Sequence, residues 1–81
     1  RVVAWTESAK AQLRAIDQRT ALHILHVLTR YLANGEGDVK RLRDVDPPEF
    51  RLRAGDYRVR FHDLGHSIVV LAVKHRREAY R

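Results

Sequence analysis

Residues 49–61 read EFRLRAGDYRVRF, with Arg51, Arg53, Arg58 and Arg60 alternating with Phe50, Leu52, Val59 and Phe61. A guanidinium fork grips phosphate oxygens bidentately and keeps its charge at any physiological pH. Four of them this close read as an anion site or, more plainly, as a solvated strand face. Proton transfer near neutral pH needs a different group, and histidine is the natural one. His62 continues the arginine row, and His75 adjoins Arg76 in the basic run KHRREAYR. His66 falls in a turn, and His23 and His26 lie in a helical stretch with no acidic or cysteine companion to suggest a metal site. The chain has no cysteine, which excludes thiolate chemistry and disulfides and fits a cytoplasmic setting.

What must position these groups is a hairpin. Gly55-Asp56 as a two-residue turn suits type II′, which wants Gly at its first central position. The register then follows: Ala54 faces Tyr57, Arg53 faces Arg58, Leu52 faces Val59, Arg51 faces Arg60 and Phe50 faces Phe61. Alternation sends Phe50, Leu52, Val59 and Phe61 to the core and the four arginines, with His62, to the other face. Tyr57 goes with the core set. Two Arg–Arg pairs would then stand directly opposite, an arrangement that destabilises a sheet. Selection for stability alone would favour Glu or Thr at alternate sites.

The remaining elements follow from periodicity. RVVAW (1–5) is β-branched and aromatic and reads as a short strand. Thr6 suits an N-cap, with Glu7 in the first turn and Ala9, Leu13 and Ile16 on one face of a helix over about residues 7–16. Asp17 caps a second helix over about 18–33, where Ala21, Ile24, Leu25, Leu28, Tyr31 and Leu32 form a wide apolar stripe. Asn34 or Gly35 stops it. Residues 38–49 are a polar connector ending in two prolines, with room for a short edge strand near Leu42. SIVVLAV (67–73) reads as a strand buried on both faces, and so internal to the sheet. The expected class is α+β: an N-terminal strand and an αα-hairpin packed on a mostly antiparallel sheet of about four strands.

The net charge is +6 over 81 residues. It is concentrated, with a balance of +1 over residues 1–39 and +5 over 40–81. A basic half on one small domain (1–81) points to phosphate, nucleic acid or an acidic protein. No apolar run approaches the roughly 18 residues of a membrane span, and no signal-peptide pattern is present, so no membrane partner is expected. The chain opens on Arg1 without Met, which leaves room for an initiator or a few residues before it.

AWTESAKAQLRAI, FRLRAGDYRVRF and VLAVKHRREAYR, in that order, resemble the RelE/ParE toxin superfamily of type II toxin–antitoxin systems. The resemblance spans nearly the whole chain. It implies a small sheet carrying two N-terminal helices. In the RelE branch it implies a ribosome-dependent endonuclease that cuts mRNA without metal or cofactor. There the 2′-hydroxyl attacks the adjacent phosphate, giving a 2′,3′-cyclic phosphate and a free 5′-hydroxyl. Residue by residue, Arg51 and Arg53 stand where RelE-like toxins often have lysines, Arg58 matches the hairpin arginine, Arg76 the later arginine and Tyr80 the tail tyrosine. Arg58, Arg76, His75 and Tyr80 are therefore expected at the catalytic centre. Arg51, Arg53, Arg60, His62, Lys40, Arg41 and Arg77 are expected to hold RNA or phosphate. Arginine is a poor acid or base. That leaves Tyr80, His75 and His62 for the proton, with His75 preferred because it adjoins Arg76 and His62 second. The implied partners are a cognate antitoxin with an acidic or amphipathic segment, the ribosome with its mRNA, and operator DNA only through the antitoxin complex. Two other functions fit the superfamily or the charge: a ParE-like inhibitor of DNA gyrase without nuclease residues, and a non-catalytic module that binds nucleic acid or antitoxin. The full set of hairpin basics, later Arg and tail Tyr favours the nuclease.

Overall fold

The computed structural model describes residues 2–42 and 44–79. The elements run β1 (Val2–Trp5), α1 (Glu7–Arg14), α2 (Gln18–Asn34), β2 (Val39–Arg41), β3 (Glu49–Ala54), β4 (Tyr57–Asp63), β5 (Ser67–His75) and α3 (Arg76–Ala79). The strands form one sheet in the order β1-β5-β4-β3-β2. β1 runs parallel to β5, and every other pairing is antiparallel. The α+β class is as expected. The sheet has five strands rather than about four, because Val39–Arg41 does form the short edge strand.

Both helix starts are made by the residues that the sequence marks. Thr6 Oγ1 accepts from Ala9 N at 3.1 Å, and Asp17 Oδ2 accepts from Thr20 N at 3.0 Å. Gly35 ends α2 in the left-handed conformation (φ 74°), which carries no Cβ penalty for glycine. Helix α1 ends at Arg14, two residues before the expected limit, with Ala15 as its cap.

The core lies between the helices and one face of the sheet. α1 packs on β5 and α2 on β3. Ala9, Ile24 and Leu28 from the helices meet Leu52, Ala54, Val59, Phe61, Ile68, Val70 and Val73 from the strands. Phe61 is fully buried, stacked on Phe50 and tilted against Tyr31, both with ring centroids 5.6 Å away. The opposite face of the sheet carries no helix among the described residues.

Strand β5 is internal, as its composition implies, but it is not regular. Arg60 pairs with Ala72 and Phe61 with Val70, so Leu71 is a bulge. Helix α1 clamps it. Thr6 Oγ1 donates to Leu71 O at 3.2 Å, and Gln12 Oε1 accepts from Val73 N at 2.7 Å. These side chains take over where β1 stops pairing at Trp5. Thr6 thus caps a helix and satisfies a bulge carbonyl with one hydroxyl. Thr6→Ala should lower stability by about 1–2 kcal/mol, read as a lower urea midpoint with an unchanged m-value.

Candidate functional site

The β3–β4 hairpin has the anticipated register at every pair from Phe50–Phe61 to Ala54–Tyr57. Gly55 takes φ 60° while Asp56 stays at negative φ, the pattern of a II′ turn. Leu52, Ala54, Val59 and Phe61 are buried on the helix side. Arg51, Arg53, Arg58, Arg60 and His62 stand on the open side.

Neighbouring strands add to that side. Lys40 of β2 pairs with Arg51, and Lys74 of β5 pairs with Arg58, so both amines share the arginine face. Asp38, Lys40, Arg51, Arg53 and Arg58 line one hollow of about 140 Å³ there. Arg58 is held in place: its Nη1 donates to Gly55 O at 3.1 Å and to Tyr57 O at 3.0 Å. Arg53 Nη1 lies 3.9 Å from Asp38 Oδ2. Both of those groups are mostly exposed, so that attraction is weak and screened by salt.

Arg60 has a different position. Its Nε donates to Glu49 Oε2 at 2.8 Å and its Nη2 to Glu49 Oε1 at 3.4 Å. Glu49 is the buried charged side chain among the described residues, 7% exposed. The hydrogen bond from Arg60 holds its carboxyl below the ordinary range against the cost of burial, with the charges of Arg60, His62 and Arg51 helping. This carboxylate offsets the stacked Arg–Arg pairs, and it commits Arg60 to a structural partner. His62 pairs across the ladder with Glu49, and its Nδ1 lies 3.3 Å from Pro48 O.

The other anticipated residues lie elsewhere. Arg41 pairs with Phe50, on the helix side of β2, and lines a separate hollow with Leu42, Asp44, Val45, Asp46 and Pro48. Arg76 is tied to the hairpin turn: its N donates to Asp56 O at 2.7 Å, and its Nε is 3.8 Å from Asp56 Oδ1. Arg58 and Arg76 are therefore anchored to the same turn. His75 pairs with Tyr57 on the helix side, its ring edge-on to that phenol at 5.3 Å. It lines a hollow with Arg19, Thr20, His23, Gly55 and Asp56, and its Nδ1 accepts from Arg77 N at 3.2 Å. His75 and the cradle are thus on opposite faces of the sheet. Arg77 is exposed in α3, and Tyr80 lies outside the described residues.

Two residues of this face were not anticipated. Glu49 reads as the end of a polar connector. Lys74 reads as the start of the tail, although a lysine closing an apolar strand is a usable signal.

The sequence model of the family described as ParE toxin of type II toxin–antitoxin system, parDE, matches residues 3–80. The chain belongs to that toxin family. Solved structures agree on the fold. The toxin resembles the RelB–RelE antitoxin–toxin complex of Methanococcus jannaschii at 18% identity and TM-score 0.77, over 95% of this chain and 94% of that one. It resembles the RelE–RelB complex of Pyrococcus horikoshii at 22% identity and TM-score 0.74, over 96% and 97%. It resembles a RelBE toxin–antitoxin complex of Mycobacterium tuberculosis at 25% identity and TM-score 0.66, over 91% and 95%. No curated protein matches the toxin. None of its described helices is long and apolar enough to cross a membrane.

Proposed function

We propose that this toxin acts in the cytoplasm as an endonuclease that cuts mRNA on the ribosome. The observation that carries the reading is the convergence of Lys40, Arg51, Arg53 and Arg58 on one hollow of the open sheet face. In-line transphosphorylation places extra negative charge on the phosphoryl oxygens, and fixed cations there stabilise it. Arg58, already held by two carbonyls, supplies such a charge without reordering. Arg51, Arg53 and Lys40 hold the neighbouring backbone, Lys74 extends the face, and Arg76 approaches from the hairpin turn.

The relatives were solved with RelB antitoxins bound. The same kind of partner suits this toxin. An antitoxin segment bearing Asp or Glu would be drawn to the cationic face and would compete there with RNA.

A second reading, inhibition of DNA gyrase, is favoured by the ParE family match and by the turn of His75 away from the cradle. Toe-printing of mRNA on programmed ribosomes separates the two. Cleavage within the A-site codon supports the nuclease. Intact mRNA together with blocked gyrase supercoiling would replace it.

A further inference from the structure

The cationic cradle has a neighbour across the hairpin tip. Arg19 and His23 of α2, Gly55 and Asp56 of the turn, and the Tyr57–His75 pair line a hollow of about 380 Å³. That lies within the size range of small-molecule sites, about 300–1,000 Å³. Phosphate binding on the open face makes no use of it. We propose that this hollow receives one unstacked base of the RNA strand, and that it selects adenine, cytosine or guanine over uracil. The inference rests on the endonuclease reading for the source of the RNA.

The lining fits a base better than a phosphate. Single-stranded RNA is recognised by stacking its bases on aromatic, histidine or arginine planes and by hydrogen bonds to their edges. Tyr57 and His75 supply two such rings, set edge to face with centroids 5.3 Å apart. His23 closes the other side over the turn: a Cβ on Gly55 would stand 3.8 Å from its Cδ2 and Nε2, so glycine leaves that wall bare. The hydrogen-bonding groups are of both kinds. His75 Nδ1 accepts from Arg77 N at 3.2 Å, which makes Nε2 the donor nitrogen of the neutral ring. Arg19 donates as well. Asp56 only accepts, and its contact with Arg76 Nε is long, 3.8 Å, between two exposed groups, so its carboxylate can be shared. A phosphate offers nothing for that carboxylate to accept. The exocyclic amino groups of adenine, cytosine and guanine do, and uracil has none.

The hollow is also within reach of the strand. It opens at the end of the sheet, and the hairpin turn is its shared border with the cradle. Arg58 Nη1 donates to Gly55 O at 3.1 Å, while Gly55 and Asp56 line the hollow. A strand with a phosphate on Arg58 has only this two-residue tip to pass, and one of the two residues has no side chain.

Two measurements on the full chain test this. In the first, AMP, CMP, GMP and UMP are titrated in turn at millimolar concentration and followed by 1H–15N NMR. The first three should shift the amide signals of Gly55, Asp56, Tyr57 and His75, and UMP should bind about 10-fold more weakly. Asp56→Ala should bind all four alike, and His23→Ala should weaken all four. Both side chains are on exposed residues, so the fold should hold. Four nucleotides that bind equally to the wild type, or that leave these signals unmoved, overturn the proposal. The second is toe-printing on ribosomes programmed with A-site codons that differ in one base. Asp56→Ala should still cut, with its discrimination against uracil lost. A discrimination identical to that of the wild type overturns the proposal and leaves the endonuclease reading standing. A wild type that leaves every mRNA whole removes the endonuclease reading, and the titration then decides the hollow by itself.

Discussion

Arg58→Ala is expected to lower mRNA cleavage on programmed ribosomes by about 100-fold or more, the scale of losing one preorganised charge donor. The fold should survive. Among the described residues the Arg58 head group bonds to Gly55 O and Tyr57 O, at an exposed turn where water replaces it cheaply. The same two bonds explain why the kinetic loss should be large. They hold the guanidinium in place before substrate arrives, so little ordering cost remains for the transition state. Arg58→Lys keeps the charge but not the fork, and should recover only part of the rate. By contrast, Arg53→Ala removes a mostly exposed side chain near Asp38 and should weaken binding more than the chemical step. Single-turnover rates with a parallel far-UV circular dichroism melt would check this. An Arg58→Ala protein that cuts at the wild-type rate would remove Arg58 from the mechanism.

The hairpin was legible because two local signals agree. Strict alternation assigns the faces, and Gly55-Asp56 sets the register; a one-residue slip of β4 would have buried Arg58 and Arg60 and exposed Val59 and Phe61. Capping made the helices equally legible, since Thr6 and Asp17 are residues whose side chains bond nearby backbone N–H groups. The β1–β5 pairing was not legible, because parallel neighbours come from distant parts of the chain.

The site was harder to read for a related reason. Counting from Ile68, regular alternation would put Lys74 on the helix side and His75 among the arginines. The Leu71 bulge reverses that parity, so Lys74 joins Arg58 and His75 meets Tyr57. An all-apolar strand has no polar residue to reveal the slip. The groups that impose it, Thr6 and Gln12, lie in another element more than sixty residues earlier. Glu49 was missed because its value depends on Arg60, eleven residues away along the chain and beside it in the sheet.

That carboxylate supports the second large effect. Glu49→Gln should destabilise the fold by about 2–4 kcal/mol at pH 7. Breaking a fully buried pair costs about 3–5 kcal/mol, and the Arg60 side chain here is about one-third exposed, which lowers the figure. For a chain of this size the change corresponds to a drop in Tm of about 10–30 °C. The pH dependence has a definite sign. The folded state depresses the Glu49 carboxyl below its unfolded range, so its stabilisation is complete above that range and is lost as pH falls through and below it. The gap between wild type and Glu49→Gln should therefore be widest at neutral pH and shrink on acidification past the ordinary carboxylate range. Urea denaturation at neutral pH and near pH 3 would measure it. A gap that stays constant would mean that shape, not charge, keeps Glu49 in place. The substitution also tests what the cationic face is for. It releases Arg60 from its carboxylate and raises the net charge by one. A face used to hold phosphate should then bind RNA more tightly and with a steeper salt dependence, even as the protein carrying it becomes less stable.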